Sequence, residues 1–209
     1  LPRSLYYIDI ISKFINLENI SLAADIGGAE GLFSNVLNNK FNNIKAINIE
    51  PDPKAIKVGK KLYPNISHHL ATGEEFFNNH KSKNKIDLVT YFGGIYRSSE
   101  PLQLVKQISI SMSHNSLALF TLPFSINNPS SQAGQNYKSM GDVFGNDTMS
   151  FFNEEILQNL LKNFFELVEV QILRNKPFYK DIPFIIAKKP KQIQKNMIIP
   201  KNINNKNMN

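Results

Sequence analysis

Residues 25–31 read Asp-Ile-Gly-Gly-Ala-Glu-Gly, where an apolar run over 20–26 gives way to a helical pattern over 32–39. A strand that ends in glycines and continues as a helix leaves free N–H groups and the positive end of a helix dipole beside the backbone. Glycines there accept unusual backbone angles and let a ligand approach the main chain closely. An anionic ligand group suits that place. Asp25 stands two residues before Gly27, at the end of a strand that reads as buried, and needs a cationic or hydrogen-bonding partner. A dinucleotide turn of the form G-x-G-x-x-G is a poor match, because its second glycine falls on Ala29. The competing explanation for the segment is a glycine-rich turn that only packs closely.

Further candidates follow along the chain. Glu50 closes the apolar run 44–49 and precedes Pro51-Asp52-Pro53. Thr72-Gly73-Glu74-Glu75 follows the run 66–71, and Thr72 with Glu75 three residues on has the form of a helix capping box. Tyr91-Phe92-Gly93-Gly94-Ile95-Tyr96-Arg97 follows the run 86–91, at the carboxyl edge where parallel sheets bind ligands. Tyr96 and Arg97 are the candidate catalytic or acceptor-binding side chains there, with Asp142 and Asp147 further on. Arg97 suits an anionic acceptor, or an ion pair with Glu100 at (i, i+3). His68, His69, His80 and His114 do not fall after the fourth strand or in the stretch 123–149, so structural or solvated roles are expected for each. His, Asp and Glu show no metal-like spacing, and no metal is expected.

The elements that must hold these residues alternate. A helix is expected at 5–17, then strands at 20–26, 44–49, 66–71, 86–91 and 117–122. Helices at 32–39, 52–62, 74–79 and 100–113 lie between them. Asp52 and Pro53 form a helix start, as cap and first-turn proline. The stretch 123–149, rich in Ser, Asn and Gly, is long for a plain connection and is expected to be an acceptor-side insertion. A helix at 153–163 and two strands at 165–173 and 178–187 close the pattern as an antiparallel hairpin. Strands alternating with helices predict an α/β three-layer sandwich around a mostly parallel sheet.

With 209 residues and 42% hydrophobic composition, the chain suffices for one domain with a full core. It has no cysteine, which excludes disulfides, thiolate zinc sites, Fe–S clusters and cysteine nucleophiles. Apolar runs are too short to span a bilayer and the start lacks a signal-peptide pattern, so a cytoplasmic protein with no membrane partner is expected. Of the net +7 charge, none comes from residues 1–175, which hold 16 Lys and Arg against 16 Asp and Glu. Residues 176–209 hold 8 Lys and only Asp181. Nucleic acid is therefore not an expected partner of the body, although weak contact through the end is compatible with it. Residues 188–209, rich in Lys and Asn, are expected to form a disordered basic tail after a domain spanning 1–187.

At residues 25–31 the chain resembles the class I S-adenosylmethionine-dependent methyltransferases, whose first motif reads acid-x-Gly-x-Gly-x-Gly. Ala29 stands where the middle glycine is usual. The stretch Ile86-Asp87-Leu88-Val89 through Pro101 is similar to that family's "F-D-L-V-x-x-x-x-V-L-E-H-x-x-x-P", with Tyr96-Arg97 in place of Glu-His. Gly145 to Phe152 is similar to a segment found in members acting on small molecules and sugars. The resemblance covers roughly residues 20–187. It implies a Rossmann-like seven-stranded sheet of order 3-2-1-4-5-7-6 with an antiparallel closing strand. It implies S-adenosylmethionine as cofactor and methyl donor, bound by Asp25, Gly27, Gly28, Ala29, Gly31, Glu50, Pro51, Thr72, Gly73, Glu74, Tyr91, Phe92 and Gly93. Glu50 would take the ribose hydroxyls, and Thr72 or Glu74 the adenine amino group. The expected acceptor is a small polar molecule, such as a sugar or other metabolite hydroxyl. The alternatives are an RNA or protein methyltransferase using the basic tail, and a cofactor-binding scaffold without activity. The oligomeric state is left open.

Overall fold

A computed structural model describes residues 2–80, 85–122, 149–150, 152–173 and 182–191, and the statements below concern those residues. The expected insertion at 123–149, apart from Met149, and all but the first four residues of the expected tail at 188–209 lie outside them.

One sheet organises the chain. Its strands are β1 (Leu22–Ile26), β2 (Lys45–Glu50), β3 (Ser67–Leu70), β4 (Ile86–Phe92), β5 (Met112–Thr121), β6 (Phe165–Leu173) and β7 (Ile182–Pro190). They lie in the order β3-β2-β1-β4-β5-β7-β6. β1 to β5 pair in parallel, and β7 runs antiparallel to both β5 and β6. This is the expected topology, with β7 as the antiparallel strand.

The helices are α1 (Pro2–Ile11), α2 (Leu32–Lys40), α3 (Pro53–Leu62), α4 (Gly73–Asn79), α5 (Pro101–Ser111) and α6 (Glu154–Lys162). Their starts follow from capping chemistry. Asp52 accepts the Lys54 N–H ahead of α3, Thr72 and Glu75 form the full capping box of α4, and Asn153 accepts the Ile156 N–H ahead of α6. One core lies between the sheet and α4, α5 and α6, with Phe77, Leu104, Ile108, Leu157 and Leu161 at its centre. The other packs α1 and α2 on the opposite face through Tyr7, Ile11, Phe33 and Leu37. Apolar side chains of β1 divide by parity, Ala24 and Ile26 to the first core and Ala23 to the second.

The main departures from the expected boundaries are three. The first helix ends at Ile11 rather than running to 17, and a 3-10 turn at Leu17–Asn19 follows. Ser12 donates its hydroxyl to the Asp9 carbonyl in the last turn of α1, and the Asn16 side chain accepts the Glu18 N–H as cap of the 3-10 turn, so both side chains serve helix ends. β5 begins at Met112, inside the span expected to be helical. Its register against β4 jumps between Ile86 and Leu88, and in that irregular stretch Ser113 donates to Asp87 while Ser116 donates to the Ser113 carbonyl. β7 continues through Pro190, past the expected strand end at 187, and the Lys191 N–H donates to the Phe164 carbonyl at 2.8 Å.

Asp87 braces the amino-terminal edge. Its carboxylate accepts the N–H groups of Ser21 and Leu22 at 2.9 and 3.2 Å and the Ser113 hydroxyl at 2.8 Å. The starts of β1, β4 and β5 are thereby tied at the end opposite the turn at 27–31.

Candidate functional site

The carboxyl ends of β1, β2 and β4 meet around the turn between β1 and α2. Gly27, Ala29 and Gly31 have φ of 67°, 50° and 88°. Two of these left-handed positions suit glycine, whereas an alanine there carries strain of about 1–2 kcal/mol. The Gly27 N–H donates to the Ile49 carbonyl at 2.8 Å, which ties the turn to β2. Gly28 closes over polar side chains. A Cβ there would lie 2.1 Å from Asn48 Oδ1 and 2.5 Å from Asp25 Oδ2. Only glycine leaves room for them.

Glu50, at the end of β2, holds the rim. One of its carboxylate oxygens accepts the Ala29 N–H and the other the Asp52 N–H, each at 2.9 Å. Each oxygen keeps further acceptor capacity, so the group can still take a diol. Pro51 is exposed beside it.

Asp25 is 3% exposed. Burial pushes its carboxyl up to about 7, against the Thr90 hydrogen bond that favours the charged form, and the Glu50 carboxylate adds to the rise. Thr90 Oγ1 donates to Asp25 Oδ1 at 2.6 Å. No cation is recorded against Asp25 among the described residues; its observed partner is this hydroxyl.

The next wall is β4 and the chain after it. Tyr91 is buried, with its ring edge 3.6 Å from where a Gly27 Cβ would be and 2.1 Å from that of Gly94. Burial raises its phenol above the ordinary value, Glu74 adds to the rise, and Arg97 opposes it. The same groups therefore share one neighbourhood. Glu74 accepts the Ser98 hydroxyl, which ties the start of α4 to the turn at Ile95–Arg97. Thr72 is engaged in the α4 cap through both capping-box hydrogen bonds. Gly73 is buried against Ile26 and Leu104. Gly93 has φ of 62°, and a Cβ there would meet nothing within 4 Å among the described residues.

Phe92 faces the other way. Its ring stacks on Tyr7 with centroids 3.9 Å apart and meets Phe33 edge-on, within the second core. Tyr96 is buried, and its carbonyl accepts the N–H groups of Met149 and Ser150 at 2.9 and 3.0 Å. Arg97 is exposed, with its guanidinium carbon 5.2 Å from the Tyr96 ring centre. Asp142 and Asp147 lie outside the described residues.

Sequence reasoning did not single out Asn48 or Thr90, and expected a structural or solvated role for His68. Asn48 donates through Nδ2 to the Ala29 carbonyl at 2.9 Å and contacts His68 Nδ1 at 3.3 Å. The signal available was parity: Asn48 is a polar residue inside Ala46-Ile47-Asn48-Ile49, level with Asp25 on the neighbouring strand. His69 and His80 pack against Phe76 at 5.1 and 5.2 Å. No cluster of three or more His, Asp and Glu able to hold a metal ion, and no helix long and apolar enough to cross a membrane, occurs among the described residues.

The sheet order and the helices that flank it have counterparts in solved structures. The fold is that of the class I S-adenosylmethionine-dependent methyltransferases. The plantazolicin methyltransferase BamL, solved with a triazolic desmethylPZN analog and SAH, is similar at 16% identity and a TM-score of 0.69, over 90% of this chain and 85% of that one. The N-terminal domain of EvdMO1 with SAH bound is similar at 12% identity and a TM-score of 0.65, over 89% of this chain and 81% of that one. Phosphoethanolamine N-methyltransferase 2 of Haemonchus contortus, solved with S-adenosyl-L-methionine, is similar at 12% identity and a TM-score of 0.68. That alignment covers 90% of this chain, which spans 53% of the Haemonchus protein. No family model and no curated protein matches the sequence.

Proposed function

We propose that this chain is an S-adenosylmethionine-dependent methyltransferase acting on a small polar acceptor. The observation that carries the reading is the turn at 27–31, closed over Asp25 and Asn48 by a glycine that no other residue can replace and rimmed by the Glu50 carboxylate. Its residues fit the cofactor. Gly27, Gly28, Ala29 and Gly31 would carry the backbone that meets it, Glu50 would take the ribose diol, and Glu74 the adenine edge, while Thr72 holds the α4 cap. Tyr91 and Gly93 would line the side toward the acceptor. S-adenosylmethionine supplies an activated methyl group on a sulfonium whose positive charge is lost on transfer. The work left to the protein is then orientation and exclusion of water. Tyr96 and Arg97 are assigned to the acceptor side, where Arg97 suits an anionic acceptor group. The balance of charge over residues 1–175 supports a small acceptor over a polyanion.

Calorimetric titration with S-adenosylhomocysteine tests the reading. The wild type is expected to bind it and not NAD, and Glu50→Ala to weaken binding about tenfold or more, since a carboxylate-to-diol pair is lost. Failure of the wild type to bind, or preference for NAD, refutes it.

A further inference from the structure

Across the sheet face covered by α1, α2 and α3, four polar side chains stand level. Thr90, Asp25, Asn48 and His68 are register partners on β4, β1, β2 and β3. Strands covered by helices on both faces are ordinarily apolar at such positions. Yet Thr90, Asp25 and Asn48 are 1%, 3% and 0% exposed. Buried polar groups must find partners, and the row can be followed bond by bond. Thr90 donates to Asp25 Oδ1. At the far end, His68 Nε2 faces the Tyr63 carbonyl at 3.1 Å. It therefore carries the hydrogen, and Nδ1 is left as an acceptor. Asn48 then has two acceptors beside one end of its amide, His68 Nδ1 and the Ala29 carbonyl. Both require the NH2 group, which fixes the orientation of the amide.

Asn48 Oδ1 must therefore point the other way, where it is buried without a partner. It converges with Asp25 Oδ2 on the point above Gly28, 2.1 and 2.5 Å from a Cβ placed there. If both groups were in their usual states, two acceptors would face each other in a site buried from solvent. A single proton on Asp25 reconciles them.

We propose that Asp25 carries a proton on Oδ2 and donates it to Asn48 Oδ1, and that this neutral pair, with Asn48 Nδ2 on the Ala29 carbonyl, positions the cofactor turn. Asn48 is thus a positioning residue, and cofactor affinity falls when Asp25 ionises. The second statement rests on the proposed function; the first does not.

The surroundings favour the neutral form. Desolvation, helped by Glu50 on β2, raises the Asp25 carboxyl to about 7. On β4 Thr90 opposes with one hydrogen bond, and on β3 His68 reaches Asp25 only through Asn48. The first turn of α2 brings no acid. The proton is therefore held below about pH 7 and lost as pH rises through that value.

Two measurements on the full chain test this. Carboxyl 13C NMR should find Asp25 neutral at pH 6, changing in one step near pH 7. Titration with S-adenosylhomocysteine should show affinity falling about tenfold from pH 6 to pH 8, the limit when only the neutral form binds. Asp25→Asn presents an amide that donates to Asn48 and accepts from Thr90 at every pH. It should bind with an affinity that does not change between pH 6 and pH 8. An ionised carboxylate at pH 6, a wild-type affinity that changes less than about twofold, or a folded Asp25→Asn that binds at no pH overturns the proposal. If Asp25→Asn does not fold, the NMR titration still decides. A wild type that binds no S-adenosylhomocysteine at pH 6 refutes the cofactor reading, while the NMR result alone then judges the proton.

Discussion

Gly93 and Gly94 are adjacent, and the structure gives them opposite reasons to be glycine. At Gly94 the backbone is ordinary, with φ of −124° and ψ of −18°. The obstacle is steric: a Cβ would lie 2.1 Å from Tyr91 Cε2 and 2.9 Å from both Cδ2 and Cζ. The three nearest atoms all belong to Tyr91, whose ring is confined between Gly27 and Phe120, 6.4 Å from the latter. Gly94→Ala should therefore cost about 1–3 kcal/mol by overpacking. Tyr91→Ala should cost about 3–5 kcal/mol as a large-to-small change in a buried site. The double variant should be about as stable as Tyr91→Ala alone, because the ring that Cβ strikes is gone. That is a coupling of about 1–3 kcal/mol, measurable by urea denaturation of the four proteins with comparable m-values. At Gly93 a Cβ would meet no described residue within 4 Å but φ is 62°, so Gly93→Ala should cost about 1–2 kcal/mol through backbone strain and show no coupling to Tyr91→Ala. Additivity of Gly94→Ala with Tyr91→Ala to within about 0.5 kcal/mol would refute the steric argument.

Three further outcomes are expected. Asp87→Ala should destabilise the fold by about 2–3 kcal/mol through two backbone N–H groups left without their acceptor, while S-adenosylhomocysteine affinity measured below the unfolding transition stays unchanged. Ala29→Gly should raise denaturant stability by about 0.5–1 kcal/mol, the strain relieved less the extra freedom of the unfolded chain. Because Asp25 is raised from 3.8 to about 7 in the folded state, the folded chain holds a proton that the unfolded one has released. Stability should therefore fall as pH rises between those values, by at most about 4 kcal/mol, and Asp25→Asn should remove this component when denaturation is repeated across the range.

The architecture was legible because its signals are local and repeated. Alternating strand and helix patterns located all seven strands, β3 with its Ser67-His68-His69 being the weakest, and Asp52, Thr72 and Asn153 act as caps where side-chain chemistry says they should. Errors gathered where side chains bind backbone instead of continuing a helix, at Ser12 and Asn16, and where Ser113 and Ser116 let β5 start early. In the site, glycines and acids at strand ends were readable because their types are unusual there. Asn48 and Thr90 were not, since a lone polar residue within a strand does not say what stands beside it. Only lateral pairing puts them beside Asp25, and register across a sheet is not written in any one segment. Phe92 shows the converse: one residue beyond Tyr91 along β4, the pleat turns it to the opposite face and into the stack with Tyr7.

The attachment of the chain after 148 to the body bears on how such a protein can change over generations. Met149 and Ser150 are held by their main-chain N–H groups on the main-chain carbonyl of Tyr96. No side chain takes part in those two bonds, so any residue but proline at 149 or 150, and any residue at 96, can still form them. The anchoring is thus indifferent to sequence at the very positions beside the proposed acceptor. Substitutions there can accumulate and re-aim chemistry without first unfastening the segment, which leaves acceptor choice open to drift while the glycine turn stays as it is.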